Sequence, residues 1–108
     1  MKLPTEIFGE IIVAHTPEEL GGDASDVLER CLTSLERAKV IVDLNGTETI
    51  ESAGLEALLN AQEALQALGG DLKIATTVEA NRKILEITRL DQQFEVFDSV
   101  IDAVRSFG

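Results

Sequence analysis

At 108 residues with 44% apolar side chains, the chain can bury one core, is too short for two, and needs neither disulfides nor a metal to fold. Twenty acidic against nine basic side chains leave a formal charge of -11, which disfavours direct contact with nucleic acid or anionic lipid and favours a partner with a basic surface, besides aiding solubility. No apolar run approaches the ~20 residues of a membrane span and the N-terminus lacks a basic-then-apolar leader pattern, so the sequence reads as a soluble cytoplasmic protein with one domain over residues 1–108.

The first elements are short. Ile7-Phe8 and Ile11-Ile12-Val13 are β-branched or aromatic runs separated by Gly9-Glu10, which predicts an N-terminal hairpin. After the turn residues Gly21-Gly22, the positions Ala24, Val27, Leu28, Cys31, Leu32 and Leu35 recur at helical spacing and predict an amphipathic helix with Cys31 as a buried structural thiol on its apolar face. Val40-Ile41-Val42-Asp43-Leu44 is too short for a stable helix and reads as a strand apolar on both faces, ended by Asn45-Gly46. A connector leads to a second helix carrying Leu55, Leu58, Leu59, Leu65 and Leu68, stopped by Gly69-Gly70.

Leu72-Lys73-Ile74-Ala75 is the next strand. Thr76-x-x-Glu79 has the spacing of a capping box opening a third helix, with Ile84, Leu85 and Thr88 on one side and Arg89-Leu90-Asp91 at its close. Phe94-Glu95-Val96-Phe97 is a final strand, and Ser99-x-x-Asp102 caps a last helix whose Val100, Ala103, Val104 and Phe107 share a face. The order β-β-α-β-α-β-α-β-α implies crossover units with parallel pairing and a leading antiparallel pair. That is an α/β domain with a mixed sheet of four to five strands and about four helices.

Core packing accounts for most of these residues but poorly for the connector from Asn45 to Leu55. Within it Ser52 stands just before the start of the second helix, where a hydroxyl can accept a hydrogen bond from an orphan N–H of the first turn. On position alone Ser52 is an N-cap. Asp43 likewise reads equally as a strand-ending residue bonding local N–H groups and as part of a site.

The segment VIVDLNGTETIESAGLEALLNAQEALQALGGDLKIA resembles the central signature of STAS domains, in which a strand ending Asp-Leu-Ser-Gly leads to Ile-Asp-Ser-Ser-Gly-Leu. Asp43-Leu44, Gly46, Ile50, Ser52 and Gly54-Leu55 fall on the corresponding positions, and the resemblance extends from about Ile11 to Phe107. Two flanking residues depart from the pattern: Glu51 stands where aspartate is usual, and Ala53 where serine or threonine is. The family's early Gly-Glu-Leu-Asp element is echoed in part by Glu18-Glu19-Leu20-Gly21. Its aspartate, which aids interaction with a kinase, has no counterpart unless Asp23 substitutes for it.

The resemblance is to members of the anti-sigma-factor antagonist type. It implies that the protein binds an anti-sigma factor kinase, frees a sigma factor, and is switched off when Ser52 is phosphorylated, with a phosphatase as a further partner. Asp43, Glu51, Ala53, Gly54, Leu55 and Asp23 would form the partner-binding surroundings of the phosphosite. The alternative is a constitutive STAS scaffold, or a regulatory subunit of a signalling or transporter assembly, in which Ser52 is only a cap. Enzymatic chemistry finds little support. His15 is the only histidine and reads as a surface residue after a strand, with no partner legible in sequence. Glu18-Glu19 and Asp23-Asp26 lack the spacing and glycine of a calcium loop and read as a solvated face, so neither metal nor cofactor is expected.

Overall fold

Gly9-Glu10 forms a two-residue turn between the first two strands, and Gly9 takes φ 62°, the left-handed conformation that glycine adopts without steric cost at the first position of such a turn. The computed structural model describes residues 3–33 and 38–107, without the side chains of 31–33. In chain order the elements are β1 (Thr5–Phe8), β2 (Ile11–His15), β3 (Glu19–Leu20), α1 (Gly22–Thr33), β4 (Lys39–Asp43), β5 (Thr49–Ile50), α2 (Ser52–Ala67), β6 (Asp71–Ala75), α3 (Glu79–Ile87), a 3-10 turn (Leu90–Gln92), β7 (Val96–Phe97) and α4 (Val100–Ser106). The main sheet has five strands in the order β1-β2-β4-β6-β7. β1 is antiparallel to β2, and every other pair is parallel.

The apolar run of β4 explains why the sheet is covered on both sides. Val40 and Val42 point into one core with Ala14, Leu72 and Ile74, where Leu28 of α1, Leu58 and Leu65 of α2 and Leu85 of α3 close over them. Ile41 points the other way, into a smaller core with Ile11, Val13, Ala75 and Ala103, flanked by Val100, Val104 and Phe107 at α4. A side chain period of two makes one strand serve both cores. Lys73 shares this second face and is 6% exposed. Its ammonium donates to Ser106 Oγ at 2.8 Å, sits 4.2 Å from the Phe107 ring centre and lies 3.6 Å from a Glu95 oxygen, so its charge is paired.

The expected order holds, with local corrections. A second, two-stranded parallel sheet pairs β3 with β5, which no sequence pattern announced. The Thr76 capping box does not form: α3 starts at Glu79 after Val78, and Thr76 Oγ1 instead accepts the Val78 N–H at 3.1 Å in a local turn. Leu68 falls beyond the last turn of α2 and is exposed, because Gly69 at φ 83° turns the chain away there. Thr88 is exposed at the end of α3, its hydroxyl donating back to the Ile84 carbonyl at 2.6 Å. Arg89 at φ 62° then ends the helix, and of the expected strand Phe94–Phe97 only Val96–Phe97 is regular strand, Glu95 joining through its carbonyl, which accepts the Ile74 N–H at 3.0 Å. The Ser99 cap does form, accepting the Asp102 N–H at 3.1 Å. Leu35 lies outside the described residues, as does the side chain of Cys31.

Candidate functional site

The connector between β4 and α2 is held at nearly every residue. Leu44 is buried and donates its N–H to the Ala75 carbonyl at 2.9 Å, while Asn45 and Gly46 turn at the surface. Thr47 is fully buried, and its hydroxyl bonds to the Pro17 carbonyl at 2.6 Å and to the Thr16 hydroxyl. Asn81, reaching over from α3 at 1% exposure, donates to the carbonyls of Leu44 at 3.0 Å and Thr47 at 2.8 Å. The loop before α3 adds a bond from Thr77 N–H to Asn45 Oδ1 at 2.8 Å. A surface connector with this many buried partners is a fixed platform.

Its second half is fixed by β3. The N–H groups of Glu48 and Glu51 bond to the carbonyls of Glu18 and Leu20 at 2.8 and 2.9 Å, and Leu20 pairs with Ile50. Two glycines permit the close approach. A Cβ at Gly54 would stand 2.6 Å from the Leu20 carbonyl oxygen, and one at Gly21 would overlap the Glu51 carboxylate. Glu51 therefore lies against the backbone that opens α1, whose first turn carries the exposed Asp23.

Ser52 is the first residue of α2 and not its cap. The cap position belongs to Glu51, with extended backbone (φ -87°, ψ 168°) and no capping bond from its side chain. Ser52 is exposed, and its hydroxyl is engaged by none of the described residues. The first N–H groups of a helix have no intrahelical acceptor, and the positive end of the helix dipole lies there, so this hydroxyl sits where added negative charge is tolerated. Ala53 beside it is exposed, Gly54 is buried and Leu55 is half-buried against the larger core.

The sequence-derived residues therefore separate into two places. Glu51, Ser52, Ala53, Gly54, Leu55 and Asp23 belong to the edge where β3, β5 and the starts of α1 and α2 meet. Asp43 faces elsewhere: Oδ2 is 2.8 Å from His15 Nδ1, and Oδ1 accepts the Asn45 N–H at 2.9 Å. His15 corrects the sequence reading, for it is the half-buried last residue of β2 and its Nε2 lies 2.6 Å from Glu6. Glu18, Glu19, Asp23 and Asp26 are all exposed. Sequence reasoning passed over Thr16, Thr47 and Asn81, which hold the platform, and read Gly21 only as a turn residue and as part of the partly echoed family element. Asn81 alone had a legible signal, a polar residue one helical turn before the apolar Ile84-Leu85.

The chain belongs to the STAS domain family, whose model matches residues 2–103. Among individual relatives, the TM1081 homologue of Thermotoga neapolitana is 26% identical over 66 residues, a match spanning 61% of this chain and 58% of that relative. An anti-sigma factor antagonist from Mycobacterium paratuberculosis has the same fold with TM-score 0.86 at 21% identity, covering 97% of this chain and 92% of that one. The Bacillus cell fate determinant SpoIIAA, solved in its phosphorylated form, superposes with TM-score 0.76 at 15% identity over 98% of this chain and 99% of its own.

Proposed function

We propose that this protein is an anti-sigma-factor antagonist that switches partners: it binds an anti-sigma factor kinase while Ser52 is free and lets go once Ser52 carries a phosphate. The observation that carries the reading is the placement of Ser52, exposed and engaged by none of the described residues at the first position of a 16-residue helix, after a connector held at nearly every residue. A kinase can reach such a hydroxyl, and the helix start accepts the product without refolding.

The surroundings supply the switch. Glu18, Glu19, Glu48 and Glu51 are exposed along the β3–β5 edge beside Ser52, which suits a basic partner surface. A phosphate adds a charge of about -1.5 to -2 next to Glu51, and a partner fitted to a neutral hydroxyl then meets repulsion and desolvation. A coupling of ~1–3 kcal/mol, about 5–150-fold in affinity, suffices to redistribute a partner between complexes.

The test uses an ATPase-type anti-sigma kinase captured from the source cell. Incubation with ATP and mass spectrometry should place one phosphate on Ser52 and none on the Ser52→Ala protein, and Ser52→Asp should weaken kinase binding by about 5-fold or more. Phosphate that persists in Ser52→Ala rejects the assignment. Unchanged binding by Ser52→Asp favours the constitutive scaffold.

A further inference from the structure

His15 joins three adjacent strands. Along β2 it shares a face with Ile11 and Val13, and it stands in register with Asp43 of β4, while Glu6 of β1 stands in register with Val13. Its Nδ1 is 2.8 Å from Asp43 Oδ2 and its Nε2 is 2.6 Å from Glu6 Oε1. An ionised carboxylate offers only acceptors, so both bonds form together only when both ring nitrogens carry protons. The geometry is that of an imidazolium between two carboxylates.

The bonding continues past the sheet. Asp43 Oδ1 accepts the Asn45 N–H at the head of the Ser52 connector, and Asn45 Oδ1 accepts the Thr77 N–H before α3. On this face β6 places Ala75 beside Asp43 and carries one further charge, Lys73, which is paired with Glu95 and Ser106, while α4 turns Val100, Ala103, Val104 and Phe107 to it; among the described residues the charges that act on the ring are those of Glu6 and Asp43.

We propose that Glu6, His15 and Asp43 form a proton-operated clasp, which holds the edge strand β1 to the strand that begins the Ser52 connector while His15 is doubly protonated and releases β1 when it is not. A neutral imidazole has one donor and can serve only one carboxylate. Glu6 is the one released: its side chain is 57% exposed and hydration replaces the lost bond, whereas Asp43 is 15% exposed and also holds Asn45. Partial burial lowers the affinity of the ring for its proton, but the hydrogen bonds it donates to Glu6 and Asp43 and their charges outweigh it, and the pKa stands above its ordinary 6.5. A group raised in the folded state contributes its full stability below the unfolded pKa and loses it as pH rises through the folded value. The clasp is therefore closed in mild acid and opens toward alkaline pH.

His15 is the only histidine, so its titration is read without ambiguity by nitrogen-15 NMR of the imidazole in the full chain, from about pH 5 to pH 9. The midpoint should lie above 6.5 and fall in Glu6→Gln. Amide exchange protection of Thr5–Phe8, relative to that of β6, should drop by about 2- to 5-fold across the midpoint and should lose this step in His15→Gln. Because Glu6 is exposed on an edge strand, Glu6→Gln leaves the core intact and reads the clasp independently of any folding defect at Asp43. A midpoint at or below 6.5, or β1 protection indifferent to it, overturns the proposal.

Discussion

Two carbonyls of the connector, those of Leu44 and Thr47, end on the single side-chain amide of Asn81. Asn81→Ala leaves both without that donor in a site almost closed to water, a loss of about 1–3 kcal/mol. Urea denaturation should show the midpoint reduced with an unchanged slope, since the surface exposed on unfolding is nearly the same. Little of this was legible beforehand. Asn81 was passed over, because its acceptors lie 37 and 34 positions away in sequence and are chosen by where α3 docks. Ser52 shows the reverse: the signature located it, while its place as the first helical residue, with Glu51 at the cap, depended on backbone angles that residue types do not dictate.

Among elements, the β3–β5 pair has the largest consequence for its size. Each strand has two residues, too few for any alternation to declare itself, yet they bring the start of α2 against the segment before α1. Gly54→Ala should weaken this junction. Alanine favours a helix over glycine by ~1 kcal/mol. A Cβ only 2.6 Å from a backbone oxygen and 3.0 Å from Leu20 Cγ nevertheless forces the elements apart, for a net loss of about 1–3 kcal/mol. Gly46→Ala is the control: the nearest atom to its Cβ would be 3.6 Å away, and its stability in the same urea measurement should stay within about 0.5 kcal/mol of the parent. The longer elements were readable because they repeat. α1, α2 and α4 announced themselves by apolar spacing, and Ser99 by its position ahead of α4, whereas the Thr76 box failed because its hydroxyl found a nearer N–H in Val78.

At the scale of the whole chain, a formal charge of -11 on 108 residues opposes compaction. Raising the salt from about 0.01 M to 0.15 M shortens the screening length from about 30 Å to 8 Å and should raise the melting temperature measured by calorimetry at neutral pH. The same screening weakens the His15 clasp, but one partly exposed set of pairs is small beside the repulsion of the whole surface. A melting temperature that fell with salt would show that paired charges outweigh the excess.

Sequence alone determined the alternation of strands and helices, the faces on which their apolar residues lie, and the connector that bears Ser52, because each is written as a local period or a contiguous motif. Tertiary structure alone decided which polar groups meet: His15 with Asp43 across 28 positions, Thr16 with Thr47 across 31, and Asn81 with the connector. Those partners are selected by strand register and by the seating of α3 on the larger core, so they leave no local pattern in the chain.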